Sequence, residues 1–404
     1  MFRLLFLLTT LVMLVNPKAL LHLDGNAGNV VQKLLIILTG AAFMASRPVH
    51  RGVVAAIFVI AGLTFFCAIG TDYPGFEWRL YCGGLVSVVA PFVLLTAQPD
   101  ARDRQLVLLV FAAMPSLMAL FGAVYQVAGV GHLFAADWTG GIRLTGTQDS
   151  PAFLAGAGFT GTLAALELAE RRHLAFAGLL LLDIIVLVLA GGRTALALAL
   201  LICAIDYLRS FRRVPLLKFF VPIWFVTIGG AALLLSRGGA GLQHLMSTSL
   251  SARDLIWAAL RRHLDAHPWF GVGLGNQQLL MPADFKARGV GTIAGHNEFL
   301  RIAVELGYPG AVTFFLLTLA ICFMVWNSAW VRRDPMFLVC VIAFYLYSLT
   351  DNTLSAPQIY FILTVASFAG RGESASPAEG RRHNRPTLPP VLGAQRSRTL
   401  SGPN

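Results

Sequence analysis

Charge is what this chain has least of. Asp, Glu, Lys and Arg make up 13% of its 404 residues, against 56% hydrophobic. Soluble domains carry about 25% charged residues, and no soluble core of this length is so apolar. A water-soluble enzyme is therefore excluded, and the net charge of +11 does not signal nucleic-acid binding. Cysteine is scarce as well. Cys67, Cys82, Cys203, Cys322 and Cys340 lie in or beside apolar runs with no ligand-like spacing, as small buried hydrophobes do and disulfide frameworks or metal knuckles do not. The outer-face acids Asp149, Asp254, Glu298 and Asp351 leave a metal open, although no D-x-D or H-E-x-x-H spacing groups them; no organic cofactor is expected. The internal repeat usual in transporters is missing. So is an A-x-A-like site after the Leu-rich run ending at Val15; Asn16-Pro17-Lys18 follows instead, and the run is expected to stay as a first span.

What the chain does have is apolar runs. A membrane span needs about 20 such residues. The runs lie at 3–21, 28–46, 52–70, 80–98, 106–130, 150–169, 173–191, 194–208, 215–235, 310–331, 336–350 and 356–370. The expectation is an all-α polytopic membrane protein with about twelve spans. With the N-terminus inside, every inner loop is basic: Arg47 to Arg51, Arg102 to Arg104, Arg171 to His173, Arg209 to Arg213, and Arg332-Arg333. Most outer loops are acidic or neutral, as the positive-inside bias requires. Both ends are then cytoplasmic. The chain divides into spans one to nine (1–236), a large outer loop (237–309), spans ten to twelve (310–370) and a disordered basic tail (371–404), rich in Pro, Ser, Arg and Gly.

The bias fails in one informative place. Arg237, Arg253, Arg261, Arg262, Lys286 and Arg288 lie in the outer loop, and Arg143 and Arg193 on the same side. Long loops tolerate such charges, yet arginines grouped at one membrane face also suit an anionic ligand such as a phosphate or pyrophosphate. Ser251-Ala252-Arg253-Asp254 reads as a capping box that opens a helix to about Ala266. Arg253, Trp257 and Arg261 recur on one face of it. Arg253 then sits at a helix N-terminus, where free N–H groups favour an anion. An interfacial helix with snorkelling arginines and a Trp anchor is the plainer account of the same pattern. Gly191-Gly192-Arg193-Thr194 is a very short turn that starts a helix with an arginine. Gly271, Gly273 and Gly275 alternate without a βαβ context, so they signal a tight backbone rather than a nucleotide site.

The loop closes on Gly295-His296-Asn297-Glu298-Phe299-Leu300, followed by Gly307-Tyr308-Pro309-Gly310. The segment from His296 to Val331 is too long for one span. A helix of about eleven residues that begins at His296 is expected to end at the Gly-Tyr-Pro-Gly break. His296 there can accept a proton near neutral pH. Glu298 and Glu305 fall on other helix faces. A lone histidine is more often structural than catalytic.

His296-Asn297, then nine residues, then Gly307-x-x-Gly310 resembles the H-[NSQ]-x9-G-x-x-[GTY] signature of bacterial O-antigen ligases. Arg253 to Trp257 leading into Pro268 to Gly273, the Gly192-Arg193-Thr194 turn and the span layout are similar to the wider O-antigen ligase/polymerase superfamily. The resemblance implies a GT-C-like, inverting, metal-independent glycosyltransferase at the periplasmic face of the inner membrane. It would transfer a polysaccharide from undecaprenyl pyrophosphate to lipid A–core oligosaccharide. It implies His296 as the base, Arg193 and Arg253 as pyrophosphate ligands, and Asn297, Glu298, Trp257, Arg143 and Arg261 in support. The nearest alternatives are an O-antigen polymerase, a protein O-oligosaccharyltransferase and, from another class, a lipid-linked sugar flippase.

Overall fold

The computed structural model describes residues 1–16, 25–136, 142–172, 174–210, 253–281 and 294–370. The expected ninth span, the Ser251-Ala252 cap, Arg237, Lys286, Arg288 and the basic tail lie outside these residues.

The described chain is mostly helical. In order come α1 (Phe2–Val15), α2 (Gly25–Ser46), α3 (Arg51–Gly70), α4 (Trp78–Val93), α5 (Ala101–Val127), strands β1 (Phe134–Ala136) and β2 (Ile142–Leu144), then α6 (Pro151–Arg172), α7 (Leu174–Ala190) and α8 (Arg193–Ser210). After them come α9 (Arg253–Ala266), α10 (Glu298–Trp326), α11 (Pro335–Ser348) and α12 (Pro357–Ala369). Every expected span in the described residues coincides with a helix. Four helices are long and apolar enough to cross a membrane: Arg51–Gly70, Ala101–Val127, Pro151–Ala169 within α6, and Glu298–Trp326. The all-α expectation needs one amendment. The 131–149 loop contains an antiparallel hairpin that pairs Phe134 with Leu144 and Ala135 with Arg143.

Helix α12 is mostly apolar, with Gln358, Thr364 and Ser367 as its polar positions, and almost wholly buried. It packs on α5, α6 and α11, while α6 packs on α5 and α7. Large apolar side chains such as Phe58, Phe66 and Leu316 stay exposed on the outer helices, as lipid-facing residues would.

Among the described residues, the loops assigned to opposite sides by charge gather at opposite ends. At one end Arg3 and Arg47 both bridge Asp100 and Asp103 at 2.5–3.1 Å. Arg104 donates to the carbonyls of Gly370 and Trp330 there, and Pro48 pairs with Gln98. At the other end Thr71 donates to the Gly271 carbonyl (2.6 Å), Asn16 to the Thr147 carbonyl (2.9 Å) and Thr350 to Thr194 (3.0 Å).

Helix α10 is broken, as its length demands. Gly307 has φ 71° and ψ 173° inside it, with Pro309 just beyond. Against this break lies the Pro268–Asn276 loop. The Tyr308 N–H donates to the Pro268 carbonyl (2.8 Å), Val272 N–H to the Val304 carbonyl (2.9 Å) and Gly273 N–H to the Glu305 carbonyl (3.0 Å). The first bond satisfies an N–H of α10, and the other two satisfy carbonyls, that the break leaves without helical partners.

Candidate active site

The site is built where four element ends meet: the turn before α8, the start of α9, the residues before α10 and the end of α11. Helix α10 begins at Glu298 rather than at His296, because Asn297 is its N-cap. The Asn297 side chain accepts from the Leu300 N–H at 3.0 Å, the role its residue type favours. His296 therefore stands outside the helix, in the left-handed region at φ 46°. For a histidine that backbone is uncommon and strained, a state often found at functional sites.

The strain aims the ring at an acid. His296 Nδ1 lies 3.2 Å from Asp351 Oδ1, and both side chains are about one-fifth exposed. Asp351 follows α11, and its carboxylate also accepts from the Asn352 N–H at 2.8 Å. With the Nδ1 proton donated to Asp351, Nε2 carries the lone pair. A histidine oriented by a carboxylate is the arrangement of a general base.

Arg253 joins this pair. Its guanidinium donates to the Thr350 carbonyl (3.3 Å), one residue before Asp351. Burial pulls its pKa below the ordinary arginine value; Asp351 opposes that shift and Arg193 adds to it. Arg193 and Asp351 are thus both close enough to act on Arg253. Two cations against one carboxylate leave an excess of positive charge, which an anion would relieve. Arg193 is exposed in the first turn of α8. The Gly191-Gly192 turn before it is packed so tightly on α6 that a Cβ at Gly192 would collide with Ala155.

Trp257 lies one turn after Arg253 and is half-buried. Its Nε1–H donates to the Gly295 carbonyl at 2.7 Å, tying α9 to the backbone next to His296. Arg261 and Arg262 are exposed on the far face of α9, whose Ile256, Leu260 and Leu264 are buried. Arg143 lies in β2, in the hairpin that packs on α6 and α7 at the same end of the bundle.

Glu298 points elsewhere. It is fully buried and ion-paired with Arg301, which also reaches Glu305 at 2.8 Å. Lys33 of α2 is within electrostatic reach of Glu298 and Arg301, and donates to Ser87 at 2.8 Å. The result is a buried charge network beneath the histidine.

Asp351 is the functional candidate whose partnership the sequence did not disclose. It follows His296 by fifty-five positions and belongs to no local pattern, although its place on the outer side was legible.

Fold and site together define a helical membrane protein with a histidine–carboxylate pair and a cationic rim at one end of the bundle. Residues 178–315 match the family model described as O-antigen ligase, which supports the O-antigen ligase/polymerase family for this chain. Family members are glycosyl-transferring enzymes, and the family implies lipid-linked polysaccharide substrates in a membrane. The matched stretch includes Arg193, Arg253, Trp257, His296, Asn297 and Glu298; Arg143 and Asp351 lie outside it. No curated protein matches the chain.

Proposed function

We propose that the protein is an O-antigen ligase, an inverting glycosyltransferase of the periplasmic face of the inner membrane. Its donor is an undecaprenyl-pyrophosphate-linked polysaccharide and its acceptor a sugar hydroxyl of lipid A–core oligosaccharide. The observation that carries this reading is the contact between His296 and Asp351, with Arg253 anchored one residue away. The acceptor hydroxyl gives its proton to His296 Nε2 as its oxygen attacks the anomeric carbon. The bond from that carbon to the pyrophosphate oxygen breaks, and undecaprenyl pyrophosphate leaves as an anion. Asp351 holds the ring and stabilises the imidazolium. Arg193 and Arg253 neutralise the charge that develops on the leaving group. The reading places the site outside the cytoplasm, away from nucleotide sugars, where a lipid pyrophosphate supplies a pre-activated donor.

Transfer assayed in proteoliposomes with lipid-linked donor and lipid A–core acceptor tests the assignment. His296→Ala is expected to lower transfer about 10²–10⁴-fold, the range for loss of a general base. Asp351→Asn should lower it by less. Activity that survives His296→Ala removes the base role. Lipopolysaccharide gels of a deletion strain separate ligase from polymerase. Loss of a ligase leaves core without O-antigen; loss of a polymerase leaves core bearing one repeat.

A further inference from the structure

We propose that Asp183 anchors a buried site for one small monovalent cation, a proton or a sodium ion, within the helical bundle. Asp183 interrupts the run Leu179-Leu180-Leu181-Leu182-Asp183-Ile184-Ile185 of α7. It is wholly buried, and neither carboxylate oxygen has a hydrogen-bond partner. The Ser116 hydroxyl of α5 acts on it and is itself without a partner of hydrogen-bonding geometry. Helix α6 makes room with Gly161, where a Cβ would stand 2.8 Å from Asp183 Oδ2 and 2.5 Å from Pro115 Cγ. Pro115 lacks an N–H, so the Phe111 carbonyl has no helical partner.

Three helices therefore meet at this carboxylate. Beyond burial, the influence on it comes from Ser116, with no charged group from α5, α6 or α7 acting upon it. An isolated carboxylate within an apolar bundle is not viable without an accompanying positive charge. Because no described side chain supplies one, a small cation does. The carboxylate and the hydroxyl are oxygen donors of the kind that bind hard cations, and equally accept a shared proton. Asp183 is distant in role from the His296 site: neither the base nor the arginine rim uses it.

The test uses purified full-length protein in lipid nanodiscs. Thermal unfolding is followed against sodium chloride, with choline chloride holding ionic strength constant, for the wild type and Asp183→Asn. The infrared band of a protonated carboxyl is recorded for both. If sodium is the ligand, the wild-type midpoint rises with sodium and Asp183→Asn loses that dependence. If a proton is the ligand, sodium has no effect and the wild type shows a carboxyl band that the variant lacks. Ser116→Ala keeps the test alive should Asp183→Asn fail to fold. It is expected to raise the half-effective sodium concentration several-fold, or to shift the carboxyl band without abolishing it. The proposal is overturned if the wild type shows neither sodium dependence nor a carboxyl band. It is equally overturned if both persist unchanged in the variants.

Discussion

The side chains at the His296 site are held by unlike means. His296 is fixed by a left-handed backbone and a carboxylate from another helix; Arg253 by a carbonyl of that same neighbour; Trp257 by a single bond to Gly295. Arg253 is the most informative of them, because burial and Arg193 together disfavour its charge when no anion is present. Arg253→Ala is expected to lower transfer about 10²–10³-fold, the scale of a lost oxyanion donor. Arg253→Lys should recover only part of it, since an ammonium cannot reproduce a planar fork. Steady-state transfer rates at saturating acceptor check both. The arginines and Trp257 were legible in the sequence because helical spacing and the failed charge bias depend on neighbours in the chain. Asp351 was not, since its meaning as a partner arises only when α11 is folded beside the start of α10. Asn297 carried a residue-type signal for capping that the adjoining histidine overshadowed.

Among elements, the broken helix α10 and the glycine loop are one device. Gly307 and Gly271 both have positive φ, and a Cβ on either would strike the other segment's backbone. Gly271 and Gly275 thus serve close approach to a protein backbone, and Gly273 close approach to the Phe76 ring. Ala at either position combines a left-handed backbone, about 1–2 kcal/mol, with a steric conflict. Gly307→Ala and Gly271→Ala are expected to lower the unfolding temperature measured in detergent, more than Ala at Gly62, which has open space around it. The short helix from Glu298 to the break also carries the buried Glu298–Arg301–Glu305 network. Glu298→Gln leaves Arg301 short of a counter-charge, and breaking a buried pair in this way costs about 3–5 kcal/mol. The expected signature is lost thermal stability; if stability holds while the pH dependence of transfer changes, Glu298 belongs to the proton chemistry instead. The break itself was legible from Gly307-Tyr308-Pro309-Gly310, and its docking partner was not, because hydrogen bonds between distant backbones leave no periodicity in a sequence.

For the whole molecule, the two ends have different chemistry. One is cross-braced by Arg3 and Arg47 on two aspartates; the other is a ring of loops around the histidine. The charge bias divides the described loops as the two ends of the bundle do, because it reflects the membrane as a solvent, a constraint on the entire chain at once. In a cysteine-free background, Asp72→Cys and Arg102→Cys, both at exposed positions, are expected to react with an impermeant maleimide from opposite sides of sealed vesicles. Labelling of both from the same side would overturn the two-ended layout. The helices were readable from apolar length, whereas the short 134–144 hairpin fell below any pattern that length can register.

The bond from Trp257 to Gly295 links two parts of the site that would otherwise be independent. It couples the helix bearing the arginine to the turn bearing the histidine, so neither can shift alone. A donor that draws Arg253 toward its phosphates would, through that bond, also set the height of the imidazole above the sugar.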